Sequence, residues 1–371
     1  MTTPLIVMEM LSFENDLLPA CQCKHPYAQR IERELLRHIV NFRQIGNDKV
    51  VSPWLEVPMA VDVQWFGLES HKTFSENSNG PGYAEEHAIK DLHEDLPKLQ
   101  PSVLHYDREE TQRQMNFATD VLGDLMPVRS VNESLQWFFG LSQKIVSLMG
   151  MEDMMYAFYD EPGDMRALYE FLCDDCISIL RQQEALGILT MNNGNDYAGA
   201  GSYGFTHDLT ASNPITSRDL WDNLNSQETL CISGDMYGEF AFPAYERLAR
   251  EFGLVYYGCC EPVHPIWDQY IQKIPHLRKV SISPWCDEEI MGEMLRGSGI
   301  IYSRKSNPNV IGGGYAMDVD TYDAGIRKTL SLAQGCALEI IQRDIYTLNG
   351  NLEKPGKAVQ LIRNAIADIW R

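Results

Sequence analysis

From residue 180 onward the chain alternates short apolar runs with amphipathic stretches every few tens of residues. This alternation narrows the possible folds more than any other feature. The runs ILTMNN (188–193), TLCISG (229–234), LVYYG (254–258), KVSIS (279–283), GIIYSR (299–304) and ALEIIQRDI (337–345) read as strands. Between them YGEFAFPAYERLAREFG, PIWDQYIQKIP, DEEIMGEMLRG and DVDTYDAGIRKTLSLAQG read as helices, and PGKAVQLIRNAIADIWR adds a last one. Short strands separated by helices build βα units around a parallel sheet. No G-x-G-x-x-G follows the first strand, so the dinucleotide-binding version lacks its fingerprint. Earlier, VVSPWLEVPM (50–59), VDVQWFGL (61–68) and SVLHYD (102–107) are expected strands, and residues 130–184 two or three helices. The expected fold is α/β, a (β/α)8 TIM barrel over residues 46–371 with a largely helical N-terminal extension over 1–45.

Charge and cysteine usage restrict the partners and the compartment. Thirty-one Lys and Arg against 52 Asp and Glu leave a net charge of -21. Such a surface repels phosphate backbones and anionic lipid, so neither nucleic acid nor a membrane is an expected partner. No run of about 18 apolar residues occurs, and no transmembrane helix is expected. The opening MTTPLIVMEMLSFEND lacks a basic n-region and a small-residue cleavage site, and a cytoplasmic location is expected. Nine cysteines, an odd number, argue for reduced thiols rather than a disulfide framework. Cys173-x-x-Cys176 lies in a helical pattern and reads as buried helix surface; Cys21-x-Cys23 reads as surface.

In a barrel the chemistry sits at the C-terminal strand ends. There the sequence offers Asn192, Asn193, Asn195 and Asp196; Asp235 and Tyr237; Trp285, Cys286 and Asp287; Arg304, Lys305 and Asn307; and Asp344. The densest group is GCCEPVH (258–264), with Cys259, Cys260, Glu261 and His264. These are ligand types zinc prefers, and a catalytic zinc keeps three protein ligands and one open position. Adjacent cysteines in an extended segment point to opposite faces, so one thiol with Glu261 and His264, or with Cys286, forms the expected set. The same residues also fit a pair of buried thiols ahead of a helix that starts at Glu261-Pro262. Arg304-Lys305 reads as an anion clamp or as a solvated pair. Asn193, Asn195 and Asp196 read as substrate-orienting or acid-base groups, or as turn residues.

Three stretches, LMGMEDMMYAFYDEPGDMRALYEFL (148–172), SQETLCISGDMYGEFAFPAYERLAREFG (226–253) and LVYYGCCEP (254–262), resemble the uroporphyrinogen decarboxylase superfamily in wording and order. The resemblance implies a (β/α)8 barrel with its site at the C-terminal mouth, often assembled as a homodimer. The decarboxylase branch uses N-terminal arginines in an M-R-Q-A-G-R-type motif, which has no counterpart here. The other branch contains zinc-dependent methyltransferases that exchange methyl groups with a corrinoid protein, through His-x-Cys after a barrel strand and a further Cys near the C-terminus. Cys259 falls at the Cys position, Tyr257 replaces the His, and Cys336 precedes its strand. The resemblance thus implies zinc at Cys259, Cys260, Glu261 and His264, and transfer of a methyl group from a small methoxylated substrate to a corrinoid protein. Asn195, Asp196 and Asp235 would orient the substrate, Arg304 or Lys305 would meet a carboxylate, and Trp285 and Tyr257 would line the pocket. The alternatives are a metal-free carboxy-lyase acting on a smaller carboxylated substrate, and a non-catalytic tetrapyrrole- or corrinoid-binding protein.

Overall fold

The computed structural model describes residues 3–67, 72–74, 83–85, 87–133 and 139–370. At its centre six parallel strands form one sheet: β1 (Leu5–Met8), β2 (Trp221–Leu224), β3 (Leu254–Tyr257), β4 (Leu277–Ile282), β5 (Ile301–Lys305) and β6 (Ala337–Gln342), in spatial order β1-β6-β5-β4-β3-β2. From β2 to β6 neighbours in space are neighbours in sequence, as stacked βα units require. The main helices are α1 (Pro26–Val40), α2 (Pro162–Leu186), α3 (Phe242–Ala249), α4 (Glu288–Leu295), α5 (Val319–Leu332) and α6 (Lys354–Ile369). Helices α3, α4 and α5 fill the β2–β3, β4–β5 and β5–β6 crossovers. Outside the sheet, Leu55–Pro58 pairs in parallel with Val128–Val131, and Val61–Gln64 pairs antiparallel with Val103–Tyr106.

Several elements differ from the sequence expectation, each for a local reason. The N-terminal flank begins with a strand: Leu5 to Met8 pair with Glu339 to Gln342 of β6, so the start of the chain lies in the main sheet. The strand expected at 229–234 is instead a 3-10 turn (Gln227–Thr229) and a short helical start (Gly234–Met236). The true strand, WDNL, carries two polar residues and so escapes a hydrophobic reading. Residues 188–193 form no backbone ladder. Thr190 Oγ1 accepts from Asn132 N at 3.0 Å, and Asn192 exchanges two 2.8 Å bonds with the Trp221 backbone, which seats the segment between Val128–Val131 and β2. PIWDQYIQKIP forms only 3-10 turns (His264–Ile266 and Ile271–Lys273), with Pro262 and Pro265 withholding backbone donors. Residues 130–184 hold three helices among the described residues: Leu141–Met149, Met151–Asp160 and α2.

Strand alternation divides the sheet into two unlike faces. Val255, Tyr257, Val280, Ile282, Tyr302, Leu338 and Ile340 join the large apolar cluster under the helices. The opposite face carries Tyr256, Lys279, Ser281, Ser303, Lys305 and Glu339, all buried. The hairpin of Tyr197–Gly199 and Ser202–Tyr203 lies against that face. Lys279 Nζ reaches Glu339 Oε2 at 3.1 Å and Tyr203 O at 2.7 Å, while Ser202 Oγ donates to Glu339 Oε1 at 2.7 Å. Gly199 lies against the strand: its φ is +122°, and an added Cβ would fall 2.3 Å from Asn223 Cβ. Gly199→Ala is therefore expected to lower stability by about 1–3 kcal/mol. Thermal unfolding checks this, and an unchanged midpoint would mean the hairpin is not seated on the sheet.

Candidate functional site

Parallel strands deliver their following loops to one edge of the sheet. Here that edge holds a cavity of about 400 Å³. Its walls are Gln227 after β2, Cys259 and Cys260 after β3, Pro284 and Trp285 after β4, Lys305 and Asn307 at β5, and Arg343, Asp344 and Tyr346 after β6. Trp285 and Tyr346 stand on the rim, each 69% exposed.

The two cysteines share a face, contrary to the expectation drawn from an extended chain. Regular pairing ends at Tyr257, and Gly258 takes φ +97°, so Cys259 and Cys260 lie in a bend. Their sulfur atoms are 3.7 Å apart. Glu261 holds this bend closed: its carboxylate accepts from Cys259 N at 2.8 Å and from Ser226 N at 3.0 Å. Two cations flank the pair. Lys305 Nζ donates to Cys259 O at 3.1 Å, and Arg343 Nη1 lies 3.9 Å from Cys259 Sγ. Arg343 Nε is in turn 3.4 Å from Glu9 Oε2 and 3.2 Å from Asp344. The hydrogen bond from Cys260, helped by Lys305 and Arg343 and opposed by burial, holds the Cys259 thiol below its ordinary range. The same bond pushes Cys260 up. Burial lowers Lys305, with the Cys259 sulfur opposing it, and burial together with the negative sulfur raises Glu261 to about 6.

Of the expected ligands, only the thiols come together. Glu261 turns its carboxylate to the backbone, and His264 Nδ1 accepts from Asp287 N at 3.2 Å. Cys286 is buried, with Sγ accepting from Val263 N at 3.4 Å. Among the described residues no group of three His, Cys, Asp or Glu side chains converges as a metal site.

The expected clamp is also split, because neighbours in a strand face opposite ways. Lys305 lines the cavity, whereas Arg304 turns outward to Glu288 (3.0 Å) and to Ser283 O (2.7 Å). Tyr257 likewise faces the helices, its hydroxyl 2.8 Å from Tyr237, and is not part of this cavity's wall. Asp235 is exposed at the start of a short helix, and Asn195 is exposed in a turn, both off the cavity wall. Asn193 braces the loop through Thr206 (2.6 Å) and Leu209 O (3.3 Å). Asp196 pairs with Arg129 at 3.1 Å, and burial, opposed by Arg129, raises it to about 6. Trp285 and Lys305 are therefore the two expected substrate contacts that reach the cavity. Arg343 is the addition, its signal being a basic residue just beyond an apolar run in ALEIIQRD. A second cavity of about 300 Å³ lies between α1 and Leu55–Pro58; of its three arginines, Arg33 and Arg37 are held by Glu14 at 2.6 Å, and Arg30 lies 5.9 Å from the centre of the Tyr27 ring.

No family model matches the chain, and no curated protein matches it. Among solved structures it is similar to a methyltransferase from Methanosarcina mazei, with a TM-score of 0.54 and 12% identity, over 97% of this chain and 94% of that one. At that identity the likeness establishes a shared fold. Among the described residues no helix is long and apolar enough to cross a membrane.

Proposed function

We propose that the chain is a methyltransferase on a (β/α)8 barrel of the uroporphyrinogen decarboxylase superfamily. It would move a methyl group from a small methoxylated donor to a corrinoid held by a separate protein. The observation that carries this reading is the Cys259–Cys260 pair, 3.7 Å apart in a strand-end cavity beside two cations. The shared fold with a methyltransferase over nearly the whole chain supports it. The pair Leu55–Pro58/Val128–Val131 and segment 188–193 lie beyond β2, and we assign them to closing the barrel.

The zinc implied by the resemblance meets a mixed test. Two sulfurs on one tetrahedral zinc stand about 3.8 Å apart, which the thiol pair matches. Glu261 and His264 do not fit the remaining positions: neither lines the cavity, and both Glu261 oxygens already accept backbone donors. The chemistry therefore rests on the thiols. Cys259, held anionic, is a nucleophile toward an electrophilic methyl group. Its sulfur–carbon bond forms as the donor's carbon–oxygen bond breaks, and the electron pair leaves with the donor oxygen. Lys305 and Arg343 supply the positive field that this anion needs, and the rim of Trp285 and Tyr346 suits an aromatic donor. A reduced corrinoid would supply the accepting electron pair and free the sulfur again. The carboxy-lyase reading loses half of its anion clamp with Arg304 turned outward.

The test is methyl transfer from a panel of methoxylated aromatics to a reduced corrinoid, read by the visible spectrum of the corrinoid. Carbon dioxide release from a carboxylated substrate, with no methyl transfer, would overturn the proposal. The pH profile adds a second reading. Because the Cys259 thiol is held below its ordinary pKa of about 8.5, the active anion persists to lower pH. The rate should stay flat from pH 8.5 downward and fall only on a more acidic limb; a limb centred at the ordinary thiol value would contradict the role of Cys259. Zinc analysis of anaerobically purified protein, with Cys260→Ala as control, distinguishes bare thiols from thiols carrying metal.

A further inference from the structure

The same geometry makes Cys259 and Cys260 a thiol pair poised for oxidation. We infer that a hydroperoxide converts the pair reversibly into a disulfide between adjacent residues, a modification that blocks the cavity's chemistry. The sulfurs need to close by only about 1.7 Å, from 3.7 Å to bonding distance. The bend at Gly258 has already brought both to one face, so what remains is to close the sulfurs across the trans Cys259–Cys260 peptide. Both thiols line the open strand-end cavity, and Cys260 is only half-buried, which gives a small peroxide access. Cys173 and Cys176 lack this access, since both are sealed in the core face of α2.

The step balances as two successive displacements. The Cys259 sulfur attacks one peroxide oxygen, the O–O bond breaks, and a sulfenic acid and water (or the corresponding alcohol) form. The Cys260 sulfur then attacks the sulfenic sulfur and the S–O bond breaks, releasing a second water. The pair loses two electrons and two protons, and the peroxide is reduced. Consecutive Cα atoms are about 3.8 Å apart, below the usual disulfide range, so the product ring is strained. Strained disulfides are the easily reduced ones, and a simple dithiol should reverse this one fully. The chemistry of the pair stands on geometry alone, whereas the loss of activity rests on the methyltransferase reading.

The experiment treats the reduced, full-length protein with a small excess of hydrogen peroxide, blocks free thiols, and maps peptides by mass. The tryptic peptide from Glu251 to Lys273 contains Cys259 and Cys260 and no other cysteine. It should become two hydrogens lighter and resist alkylation, and dithiothreitol should restore it. In Cys260→Ser the same peptide should instead gain one oxygen, trapped by dimedone. Added oxygens on the wild-type peptide without the internal bond would overturn the inference. So would a peptide left unchanged at a dose that oxidises exposed Cys23. Methyl transfer should vanish and return in step with the bond; transfer that continues in the bonded form would overturn the block. A reduced protein that transfers no methyl group counts against the proposed function, and the peptide mass still decides the disulfide.

Discussion

Cys259→Ala is expected to lower methyl transfer on the order of a thousandfold while leaving the fold intact, because the substitution removes the atom that reacts in the proposed transfer. Stability should change little. The Cys259 backbone keeps its bond to Glu261, and its carbonyl still accepts from Lys305. Ala at this position is smaller than Cys, and the site faces an open cavity where no packed void is created. Circular dichroism and thermal unfolding verify the fold, and single-turnover transfer to a reduced corrinoid reads the chemistry. Cys260→Ala should have a smaller effect on rate. It should also shift the acidic limb of the pH profile upward, since the hydrogen bond from Cys260 does most to hold Cys259 low. Equal rates for wild type and Cys259→Ala would mean that the thiol is a bystander in the cavity.

The second large effect concerns stability. Glu339→Ala leaves the Lys279 ammonium on the inner sheet face without its counter-ion, where both side chains are essentially inaccessible. Breaking a buried pair by removing one partner typically costs about 3–5 kcal/mol, and this pair also anchors the 197–203 hairpin through Ser202. Burial already disfavours the charged form of Lys279, with Glu339 opposing it, so the lone lysine would shed its proton or draw water into the sheet. The double variant Lys279→Met/Glu339→Leu should recover much of the loss, because two apolar residues need no partners. Denaturant unfolding of the three proteins measures this. Equal stability of Glu339→Ala and wild type would show that the inner face is wetter than the structure places it.

The sequence was legible where one physical signal dominated. Apolar runs bounded by turn residues located β3, β4, β5 and β6 to within a few residues, and the amphipathic periods of α4, α5 and α6 followed. The signal failed where polarity and strand coincide. WDNL keeps Asp222 and Asn223 in a buried strand, so a hydrophobic reading slid to TLCISG and carried Asp235 with it. β1 was hidden because four residues at the start of a chain have no flanking period, and only pairing with β6 makes them a strand. The order of residues along the chain placed Cys259, Cys260, Trp285 and Lys305 at strand ends, and all four line the cavity. Side-chain direction was not legible. Alternation along β5 and β3 decides that Lys305 faces the cavity while Arg304 and Tyr257 face the helices. The bend after Gly258 decides that both thiols meet, which no extended-chain rule could anticipate. Arg343 joins the site from the far end of the chain, because β6 lies in the same sheet as β3, with β4 and β5 between them, and Glu9 after β1 pairs with Arg343.

In the proposed reaction the Cys259 sulfur itself takes the methyl group. The direct measurement is to mix stoichiometric protein with a methoxylated aromatic labelled in its methyl group, withhold the corrinoid, quench, and examine the tryptic peptide from Glu251 to Lys273. Label is expected on that peptide at Cys259, absent in Cys259→Ala and discharged when reduced corrinoid is added. Label that reaches the corrinoid at full rate, with the peptide unlabelled at every quench time, would contradict a sulfur-borne methyl group.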